Sequence, residues 1–126
     1  DVCSSDLVDD IIKKYAEDNP YGFSYEEAKA FVNQLVNAGA KLVQENGTLF
    51  FFRTNDDGEC EFDFLSADDP STLQKNIRLF LTLAKKIGFD KAVTDCDSEE
   101  EFNLVKKALS NKYKFSTIQN SVEVNL

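Results

Sequence analysis

Hydrophobic and polar positions recur along this chain with two periods, and the periods divide it into elements. The stretch Glu59–Asp97 carries both. Glu59, Glu61 and Asp63 alternate with Cys60, Phe62 and Phe64, a period of two that suits a half-buried strand over Glu59–Ser66. Leu73, Ile77, Phe80, Ala84 and Ile87 then recur at gaps of four and three, which places them on one helical face. Pro70 suits the first turn, where its missing N–H would be unpaired anyway. Two starts fit: Asp69 as N-cap before Pro70, or Ser71 as N-cap with Gln74 closing a capping box. Gly88 can end the helix in a left-handed conformation, and a second strand follows at Lys91–Asp95. A strand–helix–strand of this length is enough for a right-handed parallel crossover. Ligand sites of open α/β sheets lie beyond the carboxyl ends of such strands, here Leu65–Thr72 and Thr94–Ser98.

The flanking pattern extends this core. A helix is expected over Asp6–Glu17, with Leu7, Val8, Ile11, Ile12 and Tyr15 as its stripe, Ser4 or Ser5 as cap and Asp18-Asn19-Pro20 as stop. A second starts at Ser24 with Glu27 as its capping-box partner. Phe23 and Ala28 stand at staple positions, Phe31, Val32, Leu35 and Val36 face inward, and Gly39 ends it. Lys41–Glu45 and Thr48–Thr54 flank Asn46-Gly47, a strong hairpin signal. Asn55–Gly58 turns into the strand at Glu59, completing an antiparallel meander. Leu49–Phe52 reads as core. Ser98 with Glu101 predicts another capping box, with Glu99, Glu100 and Glu101 complementing the helix dipole. Phe102, Val105, Ala108 and Leu109 are its buried face. Strands are expected at Tyr113–Ile118 and Val122–Leu126.

Composition narrows the function classes. A chain of 126 residues with 11 phenylalanines makes one domain with a sizeable core. The net charge of −9 argues against nucleic acid and anionic membranes as partners. There is no histidine, so the usual general base and commonest metal ligand are missing. Cys3, Cys60 and Cys96 are an odd count without paired spacing, which predicts free thiols in a cytoplasmic setting. No apolar run exceeds Leu49–Phe52, so neither a transmembrane span nor a signal peptide is expected. The chain starts at Asp1, without methionine, which suggests residues missing before it.

The element order is two helices, three antiparallel strands, a crossover helix, a parallel strand, a helix and a final hairpin. This α/β order with a mixed sheet of about six strands resembles the acyl-CoA N-acyltransferase fold of the GNAT superfamily, without its first short strand. The pattern is most similar to small phage-encoded GNAT-like proteins. It is carried by EFDFLSADDPST, then LAKKIGFDKAVTD, then an acidic link into FNLVKKAL. The resemblance implies that the strands Glu59–Ser66 and Lys91–Asp95 splay apart to admit the pantetheine arm of acetyl-CoA. Leu65 and Ser66 would then face the thioester. The pyrophosphate would sit at the crossover helix start, near Ser71 and Thr72, where free N–H groups and the dipole attract anions.

The chain departs from the family there. The Gln/Arg-x-x-Gly-x-Gly/Ala loop is replaced by Ser66-Ala67-Asp68-Asp69-Pro70-Ser71-Thr72, with no glycine, no cation, two carboxylates and a proline. Helix capping explains Asp68 and Asp69 better than phosphate binding does. For catalysis the resemblance implies Glu61 or Asp63 as base and Tyr113 as acid. Alternating carboxylates are more often the solvent face of a strand, and a lone tyrosine is more often packing. Cys60 and Cys96 have no activating partner in sequence and read as small hydrophobes. Asp95, Asp97 and Glu99 lack the glycine and spacing of a calcium loop, and no metal site is expected. The missing phosphate loop favours a degenerate, non-catalytic protein that binds a protein partner, within a virus particle or on a host protein. The alternative is a CoA-dependent N-acetyltransferase acting on an amine or lysine side chain, a cationic substrate suited to the acidic surface.

Overall fold

A computed structural model of the chain describes residues 5–126. Its elements are α1 (Ser5–Asp18), α2 (Tyr25–Asn37), β1 (Lys41–Glu45), β2 (Thr48–Thr54), β3 (Cys60–Ser66), α3 (Pro70–Ile87), β4 (Lys91–Asp95), α4 (Glu99–Leu109), β5 (Lys114–Ile118) and β6 (Ser121–Asn125). Each expected helix and strand is present, with ends shifted by one residue or so. Ser4 and Cys3 lie outside the described residues.

The six strands form one mixed sheet in the order β1-β2-β3-β4-β6-β5. β1, β2 and β3 are the antiparallel meander, β3 and β4 are parallel, and β6 returns antiparallel to β4. Odd and even positions of the central strands feed two separate cores. Phe50, Phe52, Cys60 and Phe62 point to the α3/α4 side, where they pack with Ile77, Phe80, Leu81, Val105 and Leu109. Phe80 stacks on Phe50 with ring centroids 4.6 Å apart and meets Phe62 at 5.1 Å. Leu49, Phe51 and Leu65 point to the α1/α2 side, against Ile11, Ile12, Ala28 and Val32. β2 is therefore buried on both faces, which is why its apolar residues run on without alternation. Ile87, placed on the α3 stripe by spacing, is 54% exposed at the last residue of the helix.

The helix starts are set by side chains. Ser24 and Glu27 form a full capping box at α2. Phe23 packs its ring on Phe31, 5.7 Å away, one turn beyond the expected staple partner Ala28. Of the two starts open for α3, Asp69 is the N-cap, with its carboxylate accepting from the Thr72 N–H and Pro70 in the first turn. Ser98 caps α4 through the Glu101 N–H. No helix among the described residues is long and apolar enough to cross a membrane.

One consequence of the register concerns the thiols. Cys60 pairs with Ala92 at the start of the parallel strands, and Cys96 lies four residues further along, about 13 Å away at strand rise. That exceeds the reach of a disulfide, and both cysteines are free and buried. Burial pushes each thiol up to about 12. At about pH 8 the thiolate fraction at each would be on the order of 10⁻⁴. A Cys3→Ser chain is expected to react with a thiol reagent at Cys60 and Cys96 only after unfolding in denaturant. Rapid native labelling of either would contradict the placement.

Candidate functional site

The parallel pairing of β3 and β4 is short. It covers Cys60↔Ala92 and Glu61↔Val93 and then stops, although β3 continues to pair with β2 as far as Ser66 and β4 with β6 as far as Asp95. Continuing the same register would set Asp63 directly beside Asp95. Like charges directly opposite are unfavourable in a sheet, and the opening keeps these two apart. The sheet therefore parts at its centre, toward the carboxyl ends of both strands.

A cleft of about 450 Å³ lies at that opening. Phe64, Leu65 and Leu73 provide apolar wall, with Phe23 and Phe31 from the α1/α2 side. The polar lining includes six carboxylates, Asp18, Asp63, Asp68, Asp97, Glu100 and Glu101, and no Lys or Arg. Burial, followed by the charge of Asp97, pushes the Glu101 carboxyl up to about 7. Burial raises Asp63 as well, with further contributions from Asp97, Glu61 and Asp95. Burial and neighbouring negative charge thus disfavour the charged form of both Glu101 and Asp63. No metal-holding group of three or more donors occurs among the described residues.

The loop between β3 and α3 is held from three sides. Oδ2 of Asp68 accepts from the Gly47 N–H at 2.8 Å, the Thr48 hydroxyl at 3.0 Å and the Asn76 amide at 2.8 Å. Asn76, fully buried on α3, gives its other amide proton to Thr48 Oγ1 and accepts from Asn46 Nδ2. With the Thr48 proton given to Asp68, Ser66 Oγ must donate to Thr48 across 2.8 Å, and it accepts from the Asp68 N–H. Ala67 N–H bonds to Gly47 O, and Lys14 of α1 donates to Ala67 O at 3.0 Å. Gly47 is required by this closeness: a Cβ there would come within 2.6 Å of Asp68 Oδ1.

Asp68 is therefore not a helix cap, as its sequence position suggested. It anchors the β1–β2 turn to the loop, while Asp69 does the capping. Of the first-turn amides of α3, Thr72 N–H goes to Asp69 Oδ1, Leu73 N–H goes to Asp69 O, and Pro70 has none. The Ser71 N–H is the one left open.

The structure brings some of the residues expected from sequence together and separates others. Asp63, Leu65 and Ser66 line the cleft. Ser71 and Thr72 lie in the first turn of α3, which begins at the cleft wall. Glu61 is one pleat away, where Arg53 grips Oε2 through Nε at 2.8 Å and a terminal nitrogen at 2.7 Å. Tyr113 is not among the cleft residues. It lines a separate groove with Arg78 and Lys114 and packs against the α3/α4 core. The solvent-face reading holds in part: Glu61 stays partly exposed with its exposed partner Arg53, whereas Asp63 is half-buried and turns into the cleft. Asp97 falls within the expected ligand segment Thr94–Ser98, although its carboxylate reads from sequence only as capping charge, and sequence reading missed Glu101 as a cleft residue. A capping-box glutamate looks the same whether or not its carboxyl is drawn into a cleft. Comparison with protein-family models, curated proteins and solved structures finds no match for this chain.

Two outcomes test this geometry. Replacing Asp68 with Ala strands three donors, each costing about 1–3 kcal/mol when buried and unpaired. Water reaching this half-buried site reduces the sum to about 2–4 kcal/mol. Asp69→Ala should cost clearly less, the loss of a single cap bond at an exposed helix start. Equal losses in urea unfolding would refute the separate roles.

The second outcome is a pH profile. A carboxyl raised to about 7 in the folded chain, against an ordinary value of 4.5, keeps a proton that the unfolded chain releases. Its penalty on folding is absent below the unfolded value and complete above the folded one, so stability falls as pH rises through that window. Glu101→Gln should flatten the fall and stabilise the protein above about pH 7 by about 1–2 kcal/mol, allowing for solvent screening. A variant that tracks the parent from about pH 5 to about pH 8 would show that Glu101 is not the source.

Proposed function

We propose that this chain is a GNAT-like domain that has lost the use of acyl-CoA and serves as a non-catalytic interaction protein of the kind phages encode, in a particle or on a host protein. The observation that carries the reading is the lining of the cleft. The cleft has the location that a pantetheine arm would take, at the carboxyl ends of two parting parallel strands. Its polar wall includes six carboxylates and no Lys or Arg. A diphosphate brought there meets like charge, worth a kcal/mol or several depending on burial. The helix start that would hold the diphosphate is occupied by the protein's own Asp69 and Pro70, with the single Ser71 amide left over.

A second reading, a CoA-dependent acetyltransferase acting on an amine, is favoured by one specific feature. A cleft carboxyl near pH 7, Glu101, beside the raised Asp63, is suited to take a proton from an ammonium at neutral pH. An acidic cleft also attracts a cationic amine. The missing phosphate cradle outweighs it, because without the cofactor there is no acyl group to transfer.

Calorimetric titration with acetyl-CoA decides between the two. No binding is expected at physiological concentration. A dissociation constant in the low micromolar range would overturn the first reading and put the enzyme in its place.

A further inference from the structure

Charge is unevenly placed along this chain. Nine of its 14 basic residues fall between Lys75 and Lys114, whereas 16 of its 23 acidic residues precede Pro70. The fold gathers four of those nine, Arg78, Lys85, Lys112 and Lys114, around an open groove of about 630 Å³. Its floor includes the fully buried Leu81 and the half-buried Tyr113. The groove lies along the second half of α3, about 15 Å from the cleft at helix rise.

None of these four cations has a carboxylate partner among the described residues, as is also true of Lys41, Lys75, Lys86, Lys106 and Lys107; what sets the four apart is that they share one groove. Lys13, Lys14, Lys29, Arg53 and Lys91 each pair with a carboxylate. Among the described residues, Arg78, Lys85, Lys112 and Lys114 form no such pair within 4.0 Å, and Arg78 donates only to Ala108 O at 3.4 Å. The helix dipole accounts for Lys85, in the last turn of α3. It does not account for Arg78 in mid-helix, or for Lys112 and Lys114 beyond the end of α4. Four cations around one groove repel each other within a Debye length of about 8 Å, and no Asp or Glu side chain lines the groove.

We propose that this groove docks a short acidic segment of a partner protein. Its carboxylates would lie on Arg78 and the three lysines, with Arg78 able to take one in two-point fashion. An apolar side chain of the segment would rest against Tyr113 and the groove floor. A long polyanion such as nucleic acid, or an anionic membrane, meets the acidic remainder of the surface as well and is repelled. A short segment meets the basic patch alone.

The test uses the full chain and a fluorescein-labelled peptide of about 12 residues containing Glu and Phe, followed by anisotropy at low ionic strength. Saturable, salt-sensitive binding is expected. Lys112→Glu with Lys114→Glu, both exposed positions that should keep the fold, is expected to weaken it about tenfold or more. Lys41→Glu with Lys75→Glu changes the net charge equally but lies outside the groove, and should leave it nearly intact. Absence of binding would overturn the proposal. So would equal loss in the two double variants, which would show a net-charge effect alone. Sedimentation showing peptide-free self-association through these lysines would overturn it too, because the acidic occupant would then be a second copy of this chain. The proposal stands on this groove and not on the cleft, so acetyl-CoA binding would sink the reading above and leave this one standing.

Discussion

A single carboxylate, Asp68, holds together the parts that meet at the centre of this molecule. It receives one hydrogen bond from the β1–β2 turn, one from β2 and one from α3. Without it, three buried or half-buried donors would face each other with no acceptor. Its demands spread outward. Gly47 must lack a side chain, Asn76 must be an amide in an otherwise apolar helix face, and Thr48 must carry a hydroxyl. A fully satisfied polar network of this kind fixes one arrangement of its elements, because any slip leaves polar groups unpaired. No buried side-chain N or O atom among the described residues lacks a partner.

The same network determines what the neighbouring loop can do. A loop that binds a diphosphate presents unused N–H groups and accepts negative charge. Here the Gly47 amide is bonded to Asp68, and of the first-turn amides of α3 Thr72 N–H is bonded to the Asp69 side chain, with Ser71 N–H left open. The opening between β3 and β4 nevertheless persists, because it follows from register: Glu61 beside Val93 would bring Asp63 beside Asp95 two residues on. Of these two strand carboxylates only Asp63 lines the opening, where Asp97 and Glu101 from the start of α4 join it.

Charge then divides the molecule along α3. Carboxylates gather at its amino-terminal end around the cleft, and unpaired cations along its second half around the second groove. In the helices this follows dipole preference, with Glu99, Glu100 and Glu101 opening α4 and Lys106 and Lys107 closing it. Arg78, Lys112 and Lys114 go beyond that preference, which is why the groove carries an argument that the helix ends alone would not.

Local chemistry made most of the fold legible in the sequence. Periods of two and 3.6 located the elements, Ser24 with Glu27 marked a helix start, Asn46-Gly47 marked a hairpin, and an 18-residue helix between two apolar strands required a parallel crossover. These signals act within a few residues, so a sequence displays them directly. What only the tertiary structure decided were pairings between distant positions. Asp68 and Asp69 are adjacent carboxylates with the same local propensity, yet one meets a turn 21 residues away and the other its own helix. Glu101 is a capping-box residue by spacing, and its carboxyl is raised to about 7 because Asp97 and the cleft wall crowd it. Tyr113 and Asp63 fall in different pockets because β4 and β6 stand between β3 and β5 in the sheet. Hydrogen-bond partners, burial and the charges facing a group depend on where the remote chain comes back, and that is set by the packing of the whole.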